Sequence, residues 1–374
     1  MQRKKSLTFE LTTSALCDMN CTYCFEGVKA NPERLEDLDV VIKRIQETLQ
    51  SNFYKESYEN ISISFWGGEP TLNTKYIITM MNAFKDEPEV EFHMYSNGYN
   101  LDRMKEVLDN VDTSKLKIQI SYDGGEINEV YRLTNKGLST TKAVMDTFHY
   151  LAEQGIQCDL KSTLPLGAIT KVYSAWKNFE DLHEKYKDYP NVTVYFAPTI
   201  DYTQRRDETI EDKVKLFRTE MLKIAKKEIQ FYEKYGRHLM SWFNSSEEKV
   251  NCSAGLDMIA VDVDGKTYPC HGMLYADGKE RMENASLYDD NFINSMEKFN
   301  NKFKDTIHVV PDICTDCVAT YCAVCPAATF QISEKEDDMD KWNDRGVNGL
   351  CEFYQTFGEI DRTVQKYLRS KRKT

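Results

Sequence analysis

Cys17-Asp-Met-Asn-Cys21-Thr-Tyr-Cys24-Phe-Glu26 is the stretch around which the rest of the sequence is organised. Three cysteines spaced C-x3-C-x2-C fit on one tight loop. Iron–sulfur clusters are held by cysteine thiolates, usually four to a cubane, so a compact triad leaves one iron without a protein ligand. An open coordination position lets a small molecule bind the metal and react there, as it does on catalytic zinc. Taken alone, the same residues also read as a structural zinc site with a remote fourth ligand, or as three unrelated thiols.

With 374 residues, the chain has room for a catalytic domain of roughly 200 to 250 residues and a smaller appendage. Hydrophobic residues make up 41% and charged residues 29%, the balance of a well-packed globular core. The net charge of −12 argues against nucleic acid as the main partner, because phosphate binding needs a basic face. A neutral or basic partner suits it better. Met1 to Lys5 is charged and Ser6 to Thr12 alternates like a strand, so neither is a signal h-region, and no run approaches a membrane span. A cytoplasmic protein is expected. In a reducing compartment its eleven cysteines read as metal ligands before disulfides.

The first half alternates strand and helix. Strands are expected at Phe9 to Thr12, Asn60 to Phe65, Glu91 to Tyr95, Leu116 to Tyr122, Ile156 to Leu164 and Asn191 to Phe196. Helices are expected at Leu35 to Leu49, Lys75 to Phe84, Leu101 to Leu108, Thr140 to Glu153 and Tyr173 to Lys185. Six such βα units imply a parallel sheet curled into a full or partial barrel, with the site at the C-terminal ends of its strands. A long charged helix, Asp207 to Tyr235, follows as an inter-domain bridge or as the sixth barrel helix.

The unusual residues fall at those strand ends. Gly67-Gly68-Glu69-Pro70 ends the second strand; its glycines let backbone approach a ligand, and its carboxylate can accept hydrogen bonds from a cationic amine. Ser96-Asn97-Gly98 ends the third strand and Ser121-Tyr-Asp123-Gly124 the fourth, with Arg132 in the loop beyond. Turn and capping chemistry is the alternative reading of each. Cys158, which lacks metal-like partner spacing, reads as a small buried apolar residue.

Together these segments resemble the radical S-adenosylmethionine (radical SAM) superfamily, whose signature C-x3-C-x-aromatic-C has Tyr23 as its aromatic here. The resemblance implies a partial (β/α)6 barrel in which Cys17, Cys21 and Cys24 hold a [4Fe–4S] cluster. Its open iron chelates SAM, and an electron from the cluster cleaves the sulfonium to a 5′-deoxyadenosyl radical that takes a hydrogen atom from substrate. By the same resemblance Tyr23, Gly67, Gly68, Glu69, Asn97, Ser121, Asp123 and Arg132 line the SAM site. No glycine-rich adenine motif is found around Cys158 to Leu164.

Seven cysteines occupy the last third. Met258 to Val263 followed by Asp264-Gly265 reads as a β-hairpin that returns Cys270 alongside Cys252. Cys314-x2-Cys317-x4-Cys322-x2-Cys325 and Cys351 complete the set, spacings that zinc ribbons also use. The whole resembles the SPASM extension of radical SAM enzymes, with the central block one residue short in each of its last two gaps. Carried over, Cys252, Cys270 and Cys325 hold one auxiliary cluster and Cys314, Cys317, Cys322 and Cys351 a second. Three thiolates leave the first cluster short of four. A non-cysteine ligand such as Asp257, a smaller cluster, or an open iron that takes a substrate thiolate completes it. The expected division is a barrel over residues 1–235, including the bridging helix, and a SPASM domain with a C-terminal helix over residues 236–374.

SPASM enzymes mostly modify peptides or proteins. Cys24-Phe25-Glu26 and Tyr268-Pro-Cys270-His271 resemble maturases that install thioether or carbon–carbon crosslinks in ribosomally made peptides (RiPPs), and such an enzyme is the expected function. Two alternatives stand beside it: an anaerobic sulfatase-maturing, formylglycine-generating enzyme, and a non-catalytic iron–sulfur or zinc protein. In the sulfatase-maturing enzymes an aspartate taken as the base typically follows the cysteine matching Cys270; His271 stands there, as a proton-transfer or a structural residue. The resemblance implies a peptide or protein substrate and an electron donor such as flavodoxin or ferredoxin. With little sequence before Ser6, any leader peptide is expected to bind the barrel, the SPASM surface or a separate leader-binding protein. Glu334 to Asp340 reads as a solvated acidic loop.

Overall fold

Strand β1 (Ser6–Ser14) is an interior strand of a sheet whose hydrogen-bonded order is β10-β9-β1-β2-β3-β4-β5-β7. The computed structural model describes residues 6–24, 37–200, 210–244, 253–274, 282–306, 316–319, 322 and 351–371. In chain order the strands are β2 (Asn60–Gly67), β3 (Val90–Ser96), β4 (Leu116–Ser121), β5 (Gln157–Lys161), β6 (Thr163–Leu164), β7 (Val192–Thr193), β8 (Thr199–Ile200), β9 (Met258–Val261) and β10 (Thr267–Tyr268). The main helices are α1 (Leu38–Gln50), α2 (Asn52–Ser57), α3 (Thr74–Ala83), α4 (Leu101–Leu108), α5 (Gly125–Tyr131), α6 (Thr141–Glu153), α7 (Val172–Tyr186), α8 (Ile210–Tyr235), α9 (His271–Leu274), α10 (Phe292–Thr306) and α11 (Cys351–Lys371).

From β1 to β7 every pairing is parallel, as helical crossovers require. Period-2 alternation sorts the side chains. Leu7, Phe9 and Leu11 of β1, Ile61, Ile63 and Phe65 of β2, and Leu116, Ile118 and Ile120 of β4 are buried. They pack in one core with helix residues such as Ile45, Ile77, Met104 and Phe148. The alternate positions, including Glu10, Thr12, Trp66, Tyr95, Gln119, Asp159 and Lys161, belong to the other face. That polar face is where a ligand can be held, because apolar packing already occupies the first.

The strand expected at Ile156 to Leu164 divides at Ser162: β5 stays in the main sheet, while β6 pairs with β8 in a separate two-stranded sheet. The Asn191 to Phe196 strand shrinks to β7, whose ladder ends at Thr193. In the last third β10 folds back on β9 in the hairpin expected there, and β9 in turn pairs in parallel with β1, from Thr8 with Met258 to Leu11 with Val261. One sheet therefore crosses the expected domain boundary.

Helix α8 contacts both α7 and α11. Trp176 Nε1 of α7 donates to Glu228 Oε1 at 2.5 Å, which ties α8 to the barrel. Phe217 meets Phe353 of α11 edge-on at 5.3 Å, and Arg218 pairs with Glu359 at 2.6 Å. Cys252, Cys314, Cys325 and the acidic stretch 334–340 lie outside the described residues.

Candidate active site

β1 delivers the cysteine loop to the C-terminal rim of the sheet, where the end of α5 and the residues after it brace it. Asn20 N donates to Leu133 O at 2.7 Å and Thr22 N to Tyr131 O at 3.0 Å. Within the loop Cys24 N donates to Cys21 O at 3.0 Å. Met19 is buried beneath it, while the three thiol residues are partly exposed. The backbone of the next motif is packed directly on this segment. Gly67 has φ 129° and a Cβ there would stand 2.3 Å from Ser14 O; one at Gly68 would stand 2.2 Å from Leu16 O. Both positions thus require glycine.

Glu69 is 1% exposed and joins the ends of two strands. Its Oε1 accepts from Thr71 N at 3.1 Å, Thr71 Oγ1 at 2.6 Å and Ser96 Oγ at 2.9 Å, and its Oε2 accepts from Asn97 N at 2.7 Å. Burial raises its pKa, and the hydrogen bonds from Thr71 and Asn97 oppose the rise. Asn97 then reaches the loop: its Nδ2 donates to Asp18 Oδ1 at 2.8 Å and lies 3.6 Å from Cys17 Sγ. Glu69, Asn97 and Cys17 are one connected unit.

A second unit forms around Tyr23. Its hydroxyl donates to Asp123 Oδ2 and accepts from Arg132 Nη1 at 2.9 Å, while Thr163 N donates to Asp123 Oδ1 at 2.8 Å. Burial pushes both the Tyr23 phenol and the Asp123 carboxyl upward, and Arg132 acts against each rise. The four residues expected at this side of the site are thus split: Tyr23, Asp123 and Arg132 meet, and Ser121 stands on the rung below. Two buried atoms beside the loop, Asp18 Oδ2 and Arg132 Nε, have no hydrogen-bond partner. One is an acceptor and the other a donor.

His271 opens α9 and reaches the same polar face. Its backbone N–H donates to Glu10 Oε2 at 2.9 Å, its Nδ1 lies 2.8 Å from Glu10 Oε1, and its ring stacks on Trp66 at 4.1 Å. Trp66 in turn meets Tyr95 edge-on at 4.7 Å. Reading motif by motif passes over Glu10, Trp66 and Tyr95. Their signal was the charged or polar residue at each inward position of an otherwise apolar strand.

Cys270 is buried, and Gly255 N donates to Pro269 O at 2.9 Å, so the hairpin brings the segment just after Cys252 against the one just before Cys270. Asp257 lies against the Tyr58 hydroxyl, which burial and this carboxylate push upward. Cys317 meets the N-terminal part of α11, with Gln355 Nε2 3.9 Å from its Sγ. A Cβ on Gly358 would stand 2.2 Å from Val318 O, so the Cys317 segment is pressed onto the helix that Cys351 opens. Cys158 is buried, and burial pushes its thiol up to about 12. Among the described residues, no three His, Cys, Asp or Glu side chains stand close enough to hold a single metal ion.

Residues 11–169 match the family model of the radical SAM superfamily. The chain carries a radical SAM domain. Among curated proteins, it is 25% identical over 175 residues to a cysteine-type anaerobic sulfatase-maturating enzyme of Clostridium novyi, covering 44% of this chain and 46% of that protein. It is 23% identical over 168 residues to the radical SAM cyclopropyl synthase TigE of Paramaledivibacter caminithermalis, covering 41% and 34%. The matches thus span about half or less of these relatives. In fold, it matches anSMEcpe with bound AdoMet and Cp18Cys peptide at TM-score 0.69 and 16% identity, over 97% of this chain and 99% of that one. It matches Streptococcus suis SuiB bound to precursor peptide SuiA at TM-score 0.54 and 15% identity, over 84% and 69%. The C-terminal region is consistent with a SPASM domain. No helix among the described residues is long and apolar enough to cross a membrane.

Proposed function

We propose that this chain is a radical SAM peptide maturase that forms a thioether or carbon–carbon crosslink. The observation that carries the reading is the Glu69–Asn97–Cys17 unit, which fixes a three-thiol loop at the mouth of a polar sheet face. Cys17, Cys21 and Cys24 would hold a [4Fe–4S] cluster, which with bound SAM supplies the radical chemistry of the family. The residues fit SAM's zwitterionic methionyl end, because Asp18 Oδ2 and Arg132 Nε are a buried acceptor and a buried donor without partners.

Glu69 has its carboxylate filled by the chain, so its part is to position Asn97 and the Gly67-Gly68 backbone that borders the loop. Tyr23 keeps the loop registered to Asp123 and Arg132, with Ser121 alongside. The wall of Glu10, Trp66, Tyr95 and Gln119 orients a peptide and limits water. Glu10 holds His271 Nδ1 and so fixes the orientation of the ring, which places His271 as the candidate proton-transfer residue. Cys252, Cys270 and Cys325, and Cys314, Cys317, Cys322 and Cys351, are the ligand sets for two auxiliary clusters; the packing of Cys317 onto the Cys351 helix supports the second. A small reduced electron carrier such as flavodoxin or ferredoxin and, for a leader peptide, a separate binding protein complete the expected partners.

The sulfatase-maturing reading is favoured by one observation, the superposition of nearly both whole chains on anSMEcpe. Mass spectrometry separates the two. The purified protein, reconstituted with iron and sulfide, is given SAM, dithionite and either a peptide encoded beside its gene or a sulfatase-derived cysteine peptide. Loss of two hydrogens with a fragmentation-resistant crosslink supports the maturase; aldehyde formation on the sulfatase peptide instead replaces it with the alternative.

A further inference from the structure

One charged side chain on the inner rim is used by none of the units above. Lys161 ends β5 in register with Ser121, and Ser96, the neighbour of Asn97, is in register with Ile120. Asn97, Ser121 and Lys161 therefore share one rung, and at about 4.8 Å per strand the backbone of Lys161 lies about 10 Å from that of Asn97. The parity of β5 sends Lys161 inward, because Cys158 and Leu160 are buried on the helix side.

Its company is thin. An ammonium has three donors, and among the described residues Lys161 Nζ donates to one neutral acceptor, Ala197 O at 3.1 Å. The nearby acid, Asp159, is already engaged by Gln119 Nε2 at 2.8 Å and Lys117 Nζ at 2.9 Å. Burial pushes the Lys161 ammonium below the ordinary lysine range, and Asp159 only opposes that fall. A partly buried cation with spare donors at the mouth of a polar face is suited to an anion.

We propose that Lys161 anchors a carboxylate, carried by the methionyl end of SAM or by an acidic residue of the peptide substrate. The proposal rests on the radical SAM reading of the loop. The full-length, iron–sulfur-reconstituted protein is pulsed with acetic anhydride, and acetylation of Lys161 is followed by mass spectrometry. Two ligand pairs are compared: SAM with decarboxylated SAM, and N-acetylglutamate methylamide with N-acetylglutamine methylamide. In one pair the charged member protects Lys161 at about tenfold lower concentration than its congener, the scale of a charge-assisted hydrogen bond.

Calorimetry then assigns the source. If the SAM pair discriminates, Lys161→Met weakens SAM binding by a similar factor and Lys161→Arg restores it. If the glutamyl pair discriminates, SAM affinity is unchanged in both variants. Equal protection by both members of both pairs, or protection by none while the wild type still binds SAM, overturns the proposal. A wild-type protein that binds no SAM at all overturns the radical SAM reading instead, and the glutamyl pair then judges Lys161 alone.

Discussion

Glu69 at the rim of the sheet and Glu228 between α7 and α8 are held in the same way and stand in different company. Each is essentially buried, 1% and 0% exposed, and each carboxylate is surrounded by groups of its own chain. Around Glu228 these are Trp176 Nε1, Met240 N, Leu239 N and His238 Nδ1; around Glu69 they are Thr71 N and Oγ1, Ser96 Oγ and Asn97 N. The difference lies one contact further out. Glu228 fastens helices to the chain that follows them, whereas the Asn97 held by Glu69 touches Cys17 Sγ at 3.6 Å. A saturated buried carboxylate is thus no mark of function; its neighbours are.

Substitution separates the two regions. Glu228→Ala strands several buried donors and should cost roughly 3 kcal/mol or more in urea unfolding, while SAM turnover per folded molecule stays near wild type. Glu69→Gln keeps the shape but turns an amide N–H₂ toward donors. It should cost roughly 1 to 3 kcal/mol of stability and, unlike the Glu228 change, reduce 5′-deoxyadenosine formation per folded molecule more than tenfold. Equal loss of turnover in both variants would erase the distinction.

The contrast also marks what sequence made legible. Motifs at strand ends were readable because spacing alone places Cys17, Gly67, Asn97 and Asp123 at one rim of a parallel sheet. Glu228, within a helix of ordinary charge pattern, gave no sign of its buried partners, since they come from Trp176 and a segment ten residues on. Glu10 was visible as a charge between Phe9 and Leu11, yet its partner His271 lies 261 positions away. That contact exists only because β9 returns to pair with β1, and short apolar strands do not declare their sheet partner. Similarly, α5 between Asp123 and Arg132 is too short to show periodicity. Without it the Tyr23–Asp123–Arg132 contact could not be read.

A smaller effect should follow from Tyr23→Phe, which removes the hydroxyl shared by Asp123 and Arg132. About 1 to 2 kcal/mol of stability is expected to go with it, together with weaker SAM binding by calorimetry, since the loop loses its tie to Asp123 and Arg132. The smallest concerns Lys161. Its folded pKa lies below its unfolded value, so the folded state is disfavoured well below the folded pKa and this penalty disappears above about pH 10.4. Lys161→Met should therefore raise the melting temperature near pH 7 and lose that advantage as pH climbs through the lysine range; a constant gain at all pH would assign the effect to packing instead.

The central claim, that the three-thiol loop is where SAM is cleaved, is tested by replacing Cys17, Cys21 and Cys24 together with alanine. Wild-type and variant proteins, both reconstituted and confirmed folded, are incubated anaerobically with SAM and dithionite, and 5′-deoxyadenosine is measured by liquid chromatography. Substantial 5′-deoxyadenosine from the wild type and none above background from the variant, with auxiliary iron retained, is the predicted result; 5′-deoxyadenosine at the wild-type level from the variant contradicts it.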